Sequence, residues 1–162
     1  MSVTPITNLI PLDDRLTTAG QPTAAQLADV AAAGFDVVVN LAMGEPTDDL
    51  PDEAAAVAAH GMAYHHIPVV WTAPQLDDFA RFVACMDACA ADRRFVHCAL
   101  NYRVTTFTSL YAQLRWGWSL DRAEALATTF WTPNETWAAF IDTVRPRWGL
   151  ARGSGPRPIT DQ

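Results

Sequence analysis

The stretch "RRFVHCALNYRVTT", residues 93–106, decides the fold. A short apolar run ends in His97-Cys98, Arg103 stands five residues after the cysteine, and a helical pattern follows. The run predicts a buried strand, so the cysteine lies where a strand gives way to a helix. In open α/β sheets, ligands bind at this end of the strands. The stretch therefore predicts both an α/β fold and a ligand site.

The rest of the chain alternates strands and helices in the same way. This pattern predicts βαβ units, a mostly parallel central sheet and helices flanking it. We predict one domain over residues 1–150 and a flexible tail over 151–162. The predicted strands are 35–42, 62–69 and 93–99, after a hairpin or loop near the start, and the predicted helices are 23–33, 52–60, 75–91, 103–118, 120–130 and 134–147.

The composition excludes several classes of function. The net charge is −7, which argues against nucleic-acid binding, and every cation is arginine, which excludes a Walker-type or Schiff-base lysine. No apolar run is long enough for a membrane span and the first residues do not resemble a signal peptide, so we expect a cytoplasmic protein. Neighbouring His65 and His66 should point to opposite faces of a strand, and we expect neither a metal nor another cofactor.

The sequence favours a reactive thiol at Cys98. The start of a helix, a fixed positive charge on Arg103 and a curled loop of backbone N–H groups all favour the thiolate, which is the nucleophilic form. The same features would hold an oxyanion against the sulfur, and arginine can grip two of its oxygens. A buried core cysteine is the alternative, and we prefer it for Cys85 and Cys89, although either could act as a resolving thiol.

The motif "HCALNYRVTT" resembles the loop of cysteine-dependent protein tyrosine and dual-specificity phosphatases, which is His-Cys, five residues, Arg, then Ser or Thr. The segment "DDRLTTAGQPTAAQLADVAAAGFDVVVNLA" further resembles the bacterial beta-lactamase-hydrolase-like phosphatases, with "GQP", a helix and "VxNL". Together the two resemblances cover residues 8–115. They imply a three-layer phosphatase-like domain that hydrolyses a phosphorylated small molecule or a phosphoprotein.

The resemblance also implies roles for the loop residues. Cys98 would form a cysteinyl-phosphate, Arg103 would bind the phosphoryl oxygens, and His97 would tune the thiol. The hydroxyl that assists departure of the thiolate would come from Thr105 or Thr106, because Val104 follows the arginine. The rest of the predicted oxyanion cradle is Ala99, Leu100, Asn101 and Tyr102.

This loop departs from the family pattern, since four residues rather than five separate the cysteine from the arginine. None of the four is glycine, so a left-handed turn falls to Asn101. The shorter ring offers fewer N–H groups and has the six-residue length of rhodanese-like sulfurtransferases, which carry a persulfide. Two alternatives to a phosphatase therefore stay open: sulfur transfer through Cys98, and an anion-binding module without catalysis.

A phosphatase of this kind also needs a general acid. The loop after the "IPV" strand has no acid before Asp77 and Asp78, whereas the loop after "VVVNLA" offers Glu45, Asp48 and Asp49. We choose Asp48 or Asp49 as the candidate acid. Among the aromatic residues, Trp71 and Tyr102 could line the pocket or pack beneath it, and Trp116, Trp118, Trp131, Trp137 and Trp148 are expected to pack the C-terminal helices.

Overall fold

The computed structural model describes residues 5–151, and it confirms the predicted α/β class. The predicted C-terminal tail lies outside the described residues, apart from Ala151. The five strands are β1 (Ile10–Asp13), β2 (Leu16–Ala19), β3 (Val37–Asn40), β4 (Ala63–His66) and β5 (Arg94–His97). The six helices in this part of the chain are α1 (Ala24–Ala32), α2 (Glu53–Ala59), α3 (Leu76–Ala88), α4 (Tyr102–Trp116), α5 (Leu120–Ala127) and α6 (Glu135–Arg147).

The strands form one sheet in the order β1-β2-β5-β3-β4. Only β1 is antiparallel, and it makes a hairpin with β2. Strand β5 is central, because it pairs in parallel with β2 on one side and β3 on the other. Its last residue, His97, lies level with Ala19 and Asn40. The segment that follows β5 therefore leaves the middle of the sheet at its carboxyl edge.

Each face of the sheet is covered by helices, and this produces three layers. In β3, Val37 and Val39 belong to one hydrophobic core and Val38 to the other, as the alternation of side chains along a strand requires. The first core contains residues of α3, α4 and α6, and the second contains residues of α1 and α2. A strand that is buried on both faces explains the unbroken apolar run seen in the sequence.

Local signals set the helix boundaries. Thr23 begins α1 with a capping box, and the predicted break at Gly34 has a left-handed φ of 93°. Asp52 caps α2 by accepting from the N–H group of Ala55. None of the helices in residues 5–151 has the length and apolar character needed to cross a membrane.

Candidate active site

The structure places Cys98 directly after the central strand and Arg103 in the first turn of α4. Cys98 is only 1% exposed, and its N–H group donates to the carbonyl of Ala19 at the end of the neighbouring strand β2. We call residues 98–103 the cysteine loop. Its position at the carboxyl edge of a parallel sheet, before a helix, is the one expected for a ligand site.

The carbonyl groups of the cysteine loop are bound by other parts of the protein. The carbonyl of Ala99 accepts from the N–H group of Gln21 (2.9 Å), and that of Leu100 accepts from Nδ2 of Asn8 (2.9 Å). Three further carbonyls have partners that are closer in the sequence. The carbonyl of Cys98 contacts Nδ1 of His97 (3.2 Å), and that of Asn101 accepts from the N–H group of Thr105 (3.0 Å). The carbonyl of Tyr102 accepts from Oγ1 of Thr105 (3.2 Å) and from Oγ1 of Thr106 (3.1 Å).

The N–H groups behave in the opposite way. From Ala99 to Val104, none of them donates to an acceptor among residues 5–151. The first N–H groups of α4 are left free by helix geometry itself, since they have no carbonyl one turn earlier. A row of free N–H groups at a helix start is the arrangement that binds anions in other proteins.

Two asparagines shape this loop. The predicted left-handed residue, Asn101, has φ = 70°, and Asn8 has φ = 51°. They hold each other: Asn8 donates to the carbonyl of Leu100, and Asn101 donates to the carbonyl of Asn8 (2.8 Å) and to Oγ1 of Thr18 (3.0 Å). The prediction for Asn101 is confirmed, and its side chain adds contacts that a glycine could not make.

The structure explains the first two residues of the "GQP" element, Gly20 and Gln21. A Cβ atom added at Gly20 would lie 2.6 Å from the carbonyl oxygen of Ala99, so only glycine lets the two segments approach this closely. The next residue, Gln21, then donates its N–H group to that same carbonyl. The element is a backbone support for the cysteine loop.

His97 is paired with a residue that the sequence analysis missed. Its Nε2 atom lies 2.6 Å from Oε2 of Glu53 at the start of α2, and the two side chains are 0% and 10% exposed. The other carboxylate oxygen of Glu53 accepts from Nε2 of Gln21 at 2.8 Å. Glu53 therefore connects the end of β5, the start of α2 and the segment after β2, all of which adjoin the cysteine loop. A buried histidine requires a partner, and the predicted helix 52–60 begins with two acidic residues, Asp52 and Glu53, of which Glu53 is the one that reaches it.

The contacts of Glu53 set the direction in which its pKa is shifted. Burial alone would raise the pKa of Glu53, but the hydrogen bond and the charge of His97, with the hydrogen bond from Gln21, together lower it. Nε2 of His97 faces the Glu53 carboxylate and Nδ1 faces the Cys98 carbonyl. The orientation of the ring beside Cys98 is therefore fixed by contacts at both nitrogens.

Arg103 projects beside an aromatic side chain. Its guanidinium carbon lies 5.5 Å from the ring centre of Trp71, which is the cation–π range. Its Nε atom is buried and finds no hydrogen-bond partner in the described part of the chain. A buried arginine N–H group without a protein acceptor is available to an anionic ligand.

The predicted aromatic residues come together next to Arg103, with one addition. Trp71 lies 6.3 Å from Tyr102, and both contact Trp131 of the loop between α5 and α6, at 5.1 Å and 5.0 Å between ring centres. The rings of Tyr102 and Trp131 are stacked, with an angle of 6° between them. We had expected Trp131 simply to pack the C-terminal helices, and no local signal in the sequence separates it from Trp137.

The candidate acids differ in their contacts. Asp48 is exposed, and Oδ2 of Asp49 accepts from the N–H group of Ala24 (2.8 Å) at the start of α1. Of the acids after β4, Asp78 accepts from the N–H group of Gln75 at the start of α3, and Asp77 pairs with Arg81. Asp48 is therefore the member of the predicted pair whose carboxylate has no such structural contact among residues 5–151.

The other two thiols lie away from the site. Cys85 is on α3 and Cys89 ends it, and the chain then enters β5 at its amino end. The length of β5 separates them from Cys98, which is roughly 13 Å for four residues at the usual rise of a strand. This placement does not favour either one as a resolving thiol.

A separate cleft of about 410 Å³ lies beside α2. Its walls include Glu53, three carboxylates of the loop after β3 (Glu45, Asp49 and Asp52), and Tyr64 and His66 of β4. Burial, the largest influence, raises the pKa of Tyr64 to about 12. Within residues 5–151, no three His, Cys, Asp or Glu side chains meet in a way that could hold a metal ion.

Comparison with known proteins identifies a matching family and similar crystal structures. Residues 8–113 match the family described as beta-lactamase hydrolase-like protein, phosphatase-like domain. A crystal structure of a "Putative phosphatase (DUF442)" from Shewanella putrefaciens CN-32 is 32% identical, with a TM-score of 0.80 over 90% of this chain and 96% of that one. No curated protein shows significant similarity.

More distant structures share the fold. TpbA of P. aeruginosa, in complex with pTyr, is 16% identical with a TM-score of 0.67, over 92% of this chain and 93% of that one. PTPMT1, in complex with PI(5)P, is 15% identical with a TM-score of 0.73, over 87% and 96%. These similarities confirm the expected three-layer phosphatase-like fold.

Proposed function

Because the chain belongs to the family of beta-lactamase hydrolase-like phosphatase domains, we propose that it is a cysteine-dependent phosphatase that hydrolyses phosphate monoesters. One observation carries the proposal: around Cys98 the loop carbonyls are bound by the protein, and the N–H groups from Ala99 to Val104 have no acceptor within residues 5–151. Such a loop offers donors to an oxyanion on one side and is held in shape on the other.

In the first step, the Cys98 thiolate attacks phosphorus and the ester P–O bond breaks. The free N–H groups and Arg103 stabilise the equatorial oxygens, on which negative charge is spread in the transition state. Asp48 gives its proton to the departing alcohol oxygen. The products of this step are the free alcohol and a cysteinyl-phosphate.

In the second step, water attacks the phosphorus of the cysteinyl-phosphate, and the S–P bond breaks. The Asp48 carboxylate takes the proton from this water, so the acid is restored. The sulfur leaves as the thiolate that began the cycle. His97 tunes the sulfur through its contact with the Cys98 carbonyl, and Thr105 and Thr106 are the nearby hydroxyls that could assist departure of the thiolate.

The substrate and location follow from the same proposal. A phosphorylated small molecule or a phosphoprotein supplies the phosphoryl group, in keeping with relatives that bind phosphotyrosine or a phosphoinositide. We place the reaction in the cytoplasm, where thiols such as the free cysteines of this chain remain reduced.

Sulfur transfer is the second candidate, and the six-residue loop favours it. In that reaction Cys98 would accept a sulfane sulfur from a donor such as thiosulfate, which leaves as sulfite. The persulfide would then pass its outer sulfur to a nucleophile such as cyanide. An assay for thiocyanate formation distinguishes this activity from phosphate release.

The deciding experiment is hydrolysis of p-nitrophenyl phosphate between mildly acidic and neutral pH. We expect the Cys98→Ser variant to lose turnover by about a thousandfold or more, and the Cys85→Ser variant to keep it. Equal rates for the wild type and Cys98→Ser would defeat the proposal. Thiocyanate formation without phosphate release would favour sulfur transfer instead.

A further inference from the structure

Three partly exposed side chains, Trp71, Tyr102 and Trp131, form a continuous surface beside Arg103, which we call the aromatic wall. Each belongs to a different segment: the loop after β4, the start of α4, and the loop between α5 and α6. Their mutual distances are those of rings in contact. The wall begins at the guanidinium group, because Trp71 lies under Arg103.

Trp137 supports the wall from behind. Trp137 is fully buried and donates its indole N–H group to the carbonyl of Trp71 at 2.8 Å. In contrast, the indole nitrogen of Trp131 is buried but has no hydrogen-bond partner among residues 5–151, like Nε of Arg103. Trp137 thus has a structural role that accounts for both its ring and its N–H group. Packing alone does not account for the unpaired donor of Trp131.

The charges around the wall limit what it can bind. The segments that leave the carboxyl edge of the sheet, residues 20–23, 41–52 and 67–75, contain no lysine or arginine, and neither does the loop 128–134. The loop after β3 carries four carboxylates: Glu45, Asp48, Asp49 and Asp52. One phosphate can be held by Arg103 and the free N–H groups, whereas a second anionic group would meet carboxylates and no further cation from these four segments.

We propose that the substrate bears a single phosphate and no second anion, and that the aromatic wall binds its flat, apolar alcohol portion. Trp131 is then the residue that determines this specificity. The inference rests on the proposed function for the identity of the reacting group. It excludes polyphosphorylated inositides and acidic phosphopeptides, and it predicts that binding improves with the size of the apolar group rather than with added charge.

The test measures binding, so that it does not depend on turnover. The probes are methylphosphonate, benzylphosphonate and 4-carboxybenzylphosphonate, titrated against the tryptophan fluorescence of the Cys98→Ser protein. We expect benzylphosphonate to bind at least about tenfold more tightly than the other two. Trp131→Ala should abolish the preference for benzyl over methyl and leave methylphosphonate binding unchanged, and Trp131→Phe should keep part of it.

Trp118→Ala is the matched control, because Trp118 contacts Trp116 and Arg122 rather than the wall. Equal affinity for the methyl and benzyl compounds, no binding of either, or a preference that survives in Trp131→Ala would each overturn the inference. Selective binding by a protein without Cys98-dependent hydrolysis would instead overturn the proposed function alone. Cys98-dependent hydrolysis without selective binding of benzylphosphonate would support the proposed function and contradict the inference about the aromatic wall.

A second inference rests on different contacts. We infer that Glu53 is a positioning residue that acts on Cys98 through His97. Glu53 holds Nε2 of His97, whose Nδ1 donates to the carbonyl of Cys98, and it also accepts from the side chain of Gln21, whose N–H group supports Ala99. One carboxylate is therefore connected to the cysteine loop by two independent routes.

The test is the pH dependence of alkylation of Cys98 by iodoacetamide, followed on the Cys98 peptide by mass spectrometry. Apart from His97, the titratable groups around Glu53 are His66 and Tyr64 of β4, and the carboxylates of the loop after β3 that line the same cleft, which are Glu45, Asp49 and Asp52. Glu53→Gln weakens the contacts that hold His97 and Gln21 beside the cysteine loop, so the N–H groups that favour the thiolate are held less well and we expect the midpoint of alkylation to move to higher pH.

Glu45→Gln removes an exposed carboxylate of the loop after β3, in the same cleft as Glu53, and should leave the midpoint unchanged. Circular dichroism establishes that Glu53→Gln is folded at the pH values used, and Glu53→Asp offers a second, more conservative variant. An unchanged midpoint, or a lower one, in a folded Glu53→Gln protein would overturn this inference. A purely structural role would change stability without moving the midpoint.

Discussion

The two sides of the cysteine loop are built in opposite ways. On the carbonyl side, every acceptor from Cys98 to Tyr102 is bound by the protein, in two cases by Asn8 and Gln21 from far along the chain. On the amide side, the N–H groups from Ala99 to Val104 and Nε of Arg103 have no acceptor among residues 5–151. The difference shows how a loop can be held in one shape and still offer donors to a ligand. The bound carbonyl groups fix its shape, and the unpaired N–H groups provide its binding capacity.

If the amide side serves binding alone, a change there should reduce activity and leave stability intact. Arg103→Lys keeps the charge but loses the forked pair of donors, so we expect kcat/KM to fall by about a hundredfold to a thousandfold. The free energy of unfolding should change by no more than about 1 kcal/mol, which is the size of the contact with Trp71. Steady-state kinetics and urea denaturation measure the two quantities.

Arg147→Lys is the control for this prediction, because Arg147 is an exposed arginine on α6. It should change neither quantity. A large loss of stability in Arg103→Lys would show that the two sides of the loop are not separate.

The carbonyl side can be tested at Asn101. Replacement by alanine removes two hydrogen bonds and forces a left-handed residue without asparagine's tolerance for it, so we expect a loss of about 3 kcal/mol in the free energy of unfolding. Replacement by glycine loses the hydrogen bonds but adopts the φ of 70° freely, so it should cost at least about 1 kcal/mol less. Equal losses in the two variants would mean that backbone conformation is unimportant here.

The smallest effect concerns pH. The pKa of Glu53 is lowered in the folded protein, so its charged form stabilises the fold above the ordinary carboxyl range, and this contribution is lost as the pH falls through the lowered value. We expect the difference in Tm between the wild type and Glu53→Gln to shrink as the pH is lowered from 7 to below 4. A difference that stays constant over this range would contradict the ion pair with His97.

The sequence predicted those features that depend on neighbouring residues. Apolar periodicity located the strands and helices, Thr23 and Gly34 marked the ends of α1, and the lack of glycine in the loop pointed to Asn101 as the left-handed residue. Each of these is a property of a few consecutive residues. The order of the strands, with β5 in the centre, explains why the motif lies in the middle of the sheet.

The features that were missed depend on contacts between distant segments. Glu53 lies 44 residues from His97 and Asn8 lies 92 residues from Leu100, so no local pattern connects them. Trp131 looked like every other tryptophan of the C-terminal helices until the fold placed it against Tyr102. The roles of Cys98, Arg103 and Asp48 remain predictions, which the experiments above address.

The dependence of the cysteine loop on Asn8, Gly20 and Gln21 has a practical consequence for anyone who shortens this protein. Residues 5–21 contain none of the proposed reactive groups, so they look expendable in the sequence. Trimming them would remove β2, which pairs with β5, and the partners of the Ala99 and Leu100 carbonyls, so the loop would lose its support while every proposed catalytic side chain was still present. A fragment that begins after Gln21 should therefore be judged by the shape of residues 98–103, and its inactivity would say nothing about the chemistry of Cys98.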